Sequence, residues 1–148
     1  MRQIALAHTR PLRLQVLRPH QTLAELAAEE APGAYAAGSF EGEQLVAVGL
    51  AHADGPNRWR VRGMATAPAA RGRGHGAAVL HALVAHAAGA GAEIVWCNAR
   101  IPARSFYERA GFEVVSAQFE LPRIGPHVRM QLALAPPGGP PAARDPSS

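Results

Sequence analysis

The stretch Met64-Ala-Thr-Ala-Pro-Ala-Ala-Arg-Gly-Arg-Gly-His-Gly76 decides how the rest of the chain is read. Before it, Trp59 to Thr66 reads as a strand, and Ala67-Pro68 forbids its continuation into a regular ladder. After it, from Gly76 to about Ala88, Val79, Leu80, Leu83 and Val84 recur at helical spacing, and Gly89 and Gly91 supply a C-terminal stop. This is predicted to be the longest helix. A turn from strand to helix leaves backbone N–H groups of the first helical turn without intrahelical partners, and such groups attract an anion. Gly72, Gly74 and Gly76 let the backbone approach phosphate oxygens closely, while Arg71 and Arg73 add charge-assisted hydrogen bonds. A pyrophosphate is a natural ligand. A nucleotide P-loop needs a Gly-Lys-Ser or Gly-Lys-Thr ending, and a dinucleotide fingerprint belongs early in a parallel βαβ unit with an acidic residue further on; the loop has neither.

Upstream, Ala34 to Phe40 and Gln44 to His52 are strand-like around the turn residues Glu41-Gly42-Glu43, which predicts an antiparallel hairpin. Leu12, Leu14 and Val16 alternate with Arg13, Gln15 and Leu17, which reads as a first strand; Pro19 and Thr22 then start a helix through Glu30. Downstream, Glu93 to Cys97 is an apolar strand and Pro102 to Ala110 a short helix ending at Gly111. Phe112 to Phe119 and Val128 to Ala133 read as further strands. The order βαβββαβαββ predicts a mixed α/β (α+β) sheet, with residues 1–134 as one domain. From Pro136 the chain is rich in proline and glycine and almost free of apolar bulk, so 135–148 is expected to be a disordered tail.

The 148 residues are 48% apolar and 18% charged, a balance that supports a folded globular domain. No apolar run approaches the roughly eighteen residues of a membrane span, and Cys97, the sole cysteine, rules out an intrachain disulfide and a cysteine metal cluster. A cytoplasmic protein with no membrane partner is the expectation. All fifteen basic residues are arginine and lie scattered along the chain, which with a net charge of +4 is a weak signal for nucleic acid, and none is expected as a partner. His75, His81 and His86 have no carboxylate or cysteine to complete a ligand set, so no metal is expected.

The loop matches the coenzyme A signature R-x-x-G-x-G through Arg71, Gly74 and Gly76, and Ser105-Phe-Tyr-Glu-Arg-Ala-Gly-Phe112 looks like the short helix and strand that follow it in one family. On these two motifs the chain resembles the GNAT superfamily of N-acetyltransferases, over roughly Val46 to Met130. The resemblance implies a centrally splayed sheet of about six or seven strands flanked by helices, with Gly63 marking the bulge that splays it. It implies acetyl-CoA as cosubstrate: the backbone of Met64, Ala65 and Thr66 faces the pantetheine arm, and Arg71, Gly72, Arg73, Gly74, His75 and Gly76 cradle the pyrophosphate. Tyr107 would protonate the departing thiolate, and the Met64 N–H would stabilise the oxyanion formed when an uncharged primary amine of a small molecule or protein attacks the thioester directly. Where many relatives carry asparagine before the short helix this chain has Arg100, with Asn98 nearby as a cofactor contact. His127, Glu120 and Glu43 are the candidates for the general base, with His127 carried forward as catalytic. A bacterial homodimer is the family expectation. A noncatalytic acyl-CoA sensor is the alternative reading.

Two further readings bear on the site. Arg60 and Arg62 share a face of the strand before the loop, where they line an acidic substrate's pocket or point at solvent, the second being the expectation. Cys97 is read as a small buried residue rather than a nucleophile.

Overall fold

The computed structural model describes residues 1–134; the expected disordered tail lies outside them. A single sheet carries eight strands: β1 (Arg2–Gln3), β2 (Tyr35–Glu41), β3 (Gln44–Ala53), β4 (Arg58–Thr66), β5 (Ile94–Arg100), β6 (Glu113–Val114), β7 (Phe119–Leu121) and β8 (Gly125–Ala133). Their spatial order is β1-β2-β3-β4-β5-β8-β6, with β7 also on β8. All neighbours are antiparallel except β4 and β5, whose pairing is parallel because a helix crosses between them. The helices are α1 (Leu6–Val16), α2 (Leu23–Glu29), α3 (His75–Gly89) and α4 (Arg104–Arg109).

The expected mixed α/β sheet, hairpin, long helix and short helix are all present. Helix α2 starts where Thr22 and Glu25 form a reciprocal capping box, each side chain bonding the other's backbone N–H at 3.1 and 2.8 Å. Two expectations are corrected. Leu12 to Leu17 is not a strand: it belongs to α1, which carries Pro11 inside it. The buried positions there are Thr9 and Arg13, four residues apart, so the period that matters is helical; the alternation of Leu12, Leu14 and Val16 is incidental. Phe112 to Phe119 is not one strand either. The Ser116 hydroxyl accepts from the Arg129 N–H at 2.8 Å where a backbone carbonyl would continue the ladder, so the chain leaves β8 after Val115 and rejoins it at Phe119.

Helix α3 buries Val79, Leu80, Leu83 and Ala87 against the sheet, and these join Val61, Val95, Cys97, Val128 and Met130 in the core. Burial of four such apolar side chains contributes on the order of 1.5–3 kcal/mol for each large one. Helix α1 packs on β3 and β4 across the other face. A side chain built on Gly49 would run into Val79 and Leu83 of α3, whereas one on Gly63 would run into Leu50 and Arg13 of α1. The two helices therefore lie on opposite faces, and what separates them is the middle of the sheet.

Candidate active site

Two local defects open the middle of the sheet. Leu50 pairs with Arg62 and Val48 with Ala65, so Gly63 and Met64 together oppose Gly49. This is a β-bulge, and Gly63 takes φ of +65°, a conformation suited to glycine. On the other side of β4, the parallel pairing with β5 covers only Arg58 to Arg60 against Ile94 to Trp96. Beyond that point β5 pairs with β8 alone, so Val61 to Thr66 and Asn98 to Arg100 diverge. The gap is a cleft of about 810 Å³ lined by both strands, the loop 70–76, the start of α3, and α4, a volume suited to a cofactor-sized ligand.

The loop 70–76 borders the cleft, with Arg73 the exception. Gly72 and Gly74 have φ of +80° and +83°, which turns the chain so that α3 starts at His75 and its first residues, His75 to Ala77, line the cleft. Gly74 offers no side-chain cap, and the first intrahelical bond is Ala78 N–H to the Gly74 carbonyl at 3.0 Å. The N–H groups of the turn before it are thus oriented to receive an anion. At Gly76 a Cβ would sit 3.3 Å from Thr66 Oγ1 and 3.4 Å from the Phe106 ring, so glycine keeps the passage open.

Met64, Ala65, Thr66, Arg71, Gly72, Gly74, His75, Gly76, Asn98, Tyr107 and His127 all line this cleft. Arg73 does not: its guanidinium lies on the Glu41 carboxylate at 2.6 Å. His75 bridges the same carboxylate, with Nε2 2.9 Å from Glu41 Oε2 and Nδ1 2.7 Å from the buried Ser39 Oγ. The hydrogen bond from Arg73 first, then His75, holds the Glu41 carboxyl below the usual carboxylate range. Glu43 is exposed in the hairpin turn and Glu120 exposed on β7; neither lines the cleft.

Tyr107 is buried on α4 against Phe106 and Phe112. Burial, and then the neighbouring Cys97 thiol, pushes its phenol well above the ordinary range, so the phenol keeps its proton at neutral pH. Cys97 is itself buried and raised to about 12, chiefly by desolvation, which makes it a thiol and not a nucleophile, as its sequence context predicts. His127, 4% exposed, lies on the other face, in register with Arg100 and Phe119. Its Nδ1 is 2.8 Å from the Gly125 carbonyl. A carbonyl only accepts, so Nδ1 carries the hydrogen and Nε2 is the basic nitrogen of the neutral ring.

The acetyltransferase (GNAT) family profile matches residues 4–112, most of the chain. The chain belongs to the acetyltransferase (GNAT) family. It is similar to the uncharacterized N-acetyltransferase YitI of Bacillus subtilis (strain 168), with 28% identity over 142 residues, covering 90% of this chain and 95% of that protein. Among solved structures it resembles an aminoglycoside 6'-N-acetyltransferase complexed with coenzyme A (TM-score 0.74, 14% identity, 88% of this chain and 92% of that one). It also resembles a Bacillus subtilis acetyltransferase in complex with CoA (TM-score 0.69, 16% identity, 89% and 95%). This GNAT chain is accordingly an acyltransferase, with an open mixed sheet whose fold matches that of its structural relatives. Among the described residues no helix is long and apolar enough to cross a membrane, and no three His, Cys, Asp or Glu side chains gather in a way that could hold a metal ion.

Four arginines of the GNAT cleft were not legible as site residues. Arg62, expected at the solvent, lines it, as do Arg18, Arg100 and Arg109. Only Arg100 carried a signal, as a departure from the family's asparagine, and the misreading of α1 as a strand hid Arg18.

Proposed function

We propose that this chain transfers the acetyl group of acetyl-CoA to a primary amine by direct attack, with His127 and Tyr107 handling the protons. The observation that carries the reading is the splayed gap through the sheet, with an acid on one face and a base on the other. Cys97, Ala99 and Tyr107 belong to the core under α3, whereas Asn98, Arg100 and His127 alternate onto the α1 face. Cofactor and acceptor can thus approach the same point from opposite sides.

The coenzyme fits the α3 side. The open N–H groups of α3 and the Arg71 side chain offer a pyrophosphate both hydrogen bonds and positive charge. The Asn98 side-chain oxygen is buried without a hydrogen-bond partner, and an amide N–H of a pantetheine arm threading the gap would satisfy it. The bulge at Gly63 and Met64 releases backbone from the β3 ladder, which supports the Met64 N–H as the donor to the developing oxyanion.

In the reaction the amine lone pair attacks the thioester carbonyl; a C–N bond forms and the C–S bond breaks. His127 Nε2, directly or through one water, takes the proton that the nitrogen loses. The Tyr107 phenol gives its proton to the departing thiolate, and both side chains reset through solvent. No covalent enzyme intermediate is required, consistent with the inert Cys97.

Calorimetric titration with acetyl-CoA, with Arg71→Ala as control, tests the coenzyme half. Saturable micromolar binding that weakens in the variant is the expected result; no binding by the wild-type chain sinks the reading.

A further inference from the structure

At its α1 end the cleft gathers Arg18, Arg62 and Arg100. None of the three has a carboxylate within ion-pairing distance among the described residues, although Arg10, Arg13, Arg58, Arg73 and Arg104 all do. Of the described residues lining the cleft, none is aspartate or glutamate. The three are held in place by backbone. Arg100 Nη2 donates to the Leu17 carbonyl at 2.7 Å, Arg18 Nη1 to the same oxygen at 3.2 Å, and Arg62 Nη1 reaches the Glu29 carbonyl at 3.4 Å. Neutral carbonyls anchor these guanidiniums without cancelling their charge. Burial first, then the nearby Arg100 charge, pulls the Arg18 guanidinium below its usual value, and burial alone does the same to Arg100. The Glu29 carboxylate acts on Arg18 only through space and forms no ion pair with the three; partly desolvated like charges kept together without a direct ion-pair partner are costly, and a bound anion relieves that cost.

The position of the cluster decides which ligand supplies the anion. Arg62 follows Arg60 by two residues, Arg60 is in register with Trp96, and Arg100 lies four further along β5, so Arg62, Asn98 and Arg100 share the α1 face with His127. The N-terminus of α3 and Tyr107 lie on the opposite side. A coenzyme whose phosphates sit at α3 leaves the arginines to the other reactant.

We propose that the acceptor amine carries a negatively charged group, a carboxylate or phosphate, which Arg18, Arg62 and Arg100 bind while its nitrogen is presented to His127. This rests on the acyl-transfer reading above and narrows it: polycationic acceptors such as polyamines are disfavoured by the field of the cleft.

The test compares acetyl-CoA-dependent acetylation of L-phenylalanine with L-phenylalaninamide, O-phosphoethanolamine with ethanolamine, and both pairs with spermidine, read by thiol release. The expected result is kcat/KM at least about tenfold higher for the anionic member of the better-used pair, the worth of one charged hydrogen bond. Arg62→Ala and Arg18→Ala should each raise KM for that anionic amine about tenfold, leave acetyl-CoA affinity unchanged, and not affect KM for its neutral counterpart; Arg62→Lys should recover part of the loss. Equal or better use of a neutral amine or spermidine overturns the proposal. So does an unchanged KM in folded Arg62→Ala, or a protein that binds acetyl-CoA yet acetylates neither anionic amine. Failure to bind acetyl-CoA at all is a different result, and it removes the acyl-transfer reading itself.

Discussion

Arg13 on α1 donates to Glu30 Oε2 across 2.6 Å, and the same carboxylate accepts from Arg10 at 2.8 and 3.0 Å. With Arg13 buried and lying over Gly63, the pair fastens α1 to the segment after α2 directly above the bulge that opens the cleft. Glu30→Ala would leave Arg13 a buried charge without a carboxylate, held only by its hydrogen bond to Thr9 Oγ1 at 3.2 Å. The expected loss is about 3 kcal/mol, the lower end of the range for breaking a buried pair because Arg10 is partly exposed, read as a fall in urea midpoint.

The same carboxylate predicts an acid sensitivity. The hydrogen bond from Arg10 first, followed by Arg13, lowers the Glu30 carboxyl in the folded chain. A depressed carboxyl contributes stability that is fully present above its unfolded value, about 4.3, and is lost as pH falls through the folded value. Wild type should lose stability below about pH 4.3 more steeply than Glu30→Ala; parallel curves from urea melts across this window would falsify the assignment.

Gly63→Val should be damaging for two separable reasons. The residue has φ of +65°, which costs a β-branched side chain roughly 1–2 kcal/mol or more. Its Cβ would also sit 2.6 Å from Leu50 Cδ1 and 2.9 Å from Arg13 Nε. Gly74→Ala, at φ of +83° with open space around the Cβ, carries only the first cost. Thermal melts should rank Gly63→Val clearly below Gly74→Ala; the opposite order would contradict the bulge geometry.

The two loop arginines should behave differently. Arg71 lines the cleft and is free to meet a phosphate, so Arg71→Ala should weaken acetyl-CoA binding by about tenfold, that of one charged hydrogen bond. Arg73 is held on Glu41, so Arg73→Ala should weaken it much less. Calorimetry on the two variants decides this, and equal losses would mean that Arg73 leaves Glu41 for the ligand.

For the chemical step, His127→Ala and Tyr107→Phe should each lower kcat by on the order of 10²–10⁴ while affinity for acetyl-CoA changes little. Parallel loss of binding and turnover in either variant would instead point to damaged packing, since both side chains are buried.

Much of the site was legible because its signals are local. Gly72, Gly74 and Gly76, flanked by arginines and placed between an apolar strand and an apolar helical period, define a turn whose backbone chemistry follows from a dozen consecutive residues. Tyr107 and Phe112 could be placed because the short helix around them carries its own start and stop. The first helix was lost for the converse reason. Leu12 to Leu17 has a convincing alternation, and what makes it helical is the burial of Thr9 and Arg13 on one face, with Arg13 held by Glu30 and lying over Gly63, a term no window of local sequence contains.

The sequence by itself determined the order of most elements, the glycine-rich turn before the long helix and the family, since backbone conformational preferences and hydrophobic period are encoded residue by residue. The tertiary structure alone decided which charges stand paired. It put Arg73 on Glu41 and Arg13 on Glu30, left Arg18, Arg62 and Arg100 without a carboxylate, and set His127 and Tyr107 on opposite sides of one gap. Pairing, burial and facing are properties of distances in space, and strands brought together from distant parts of the chain fix them.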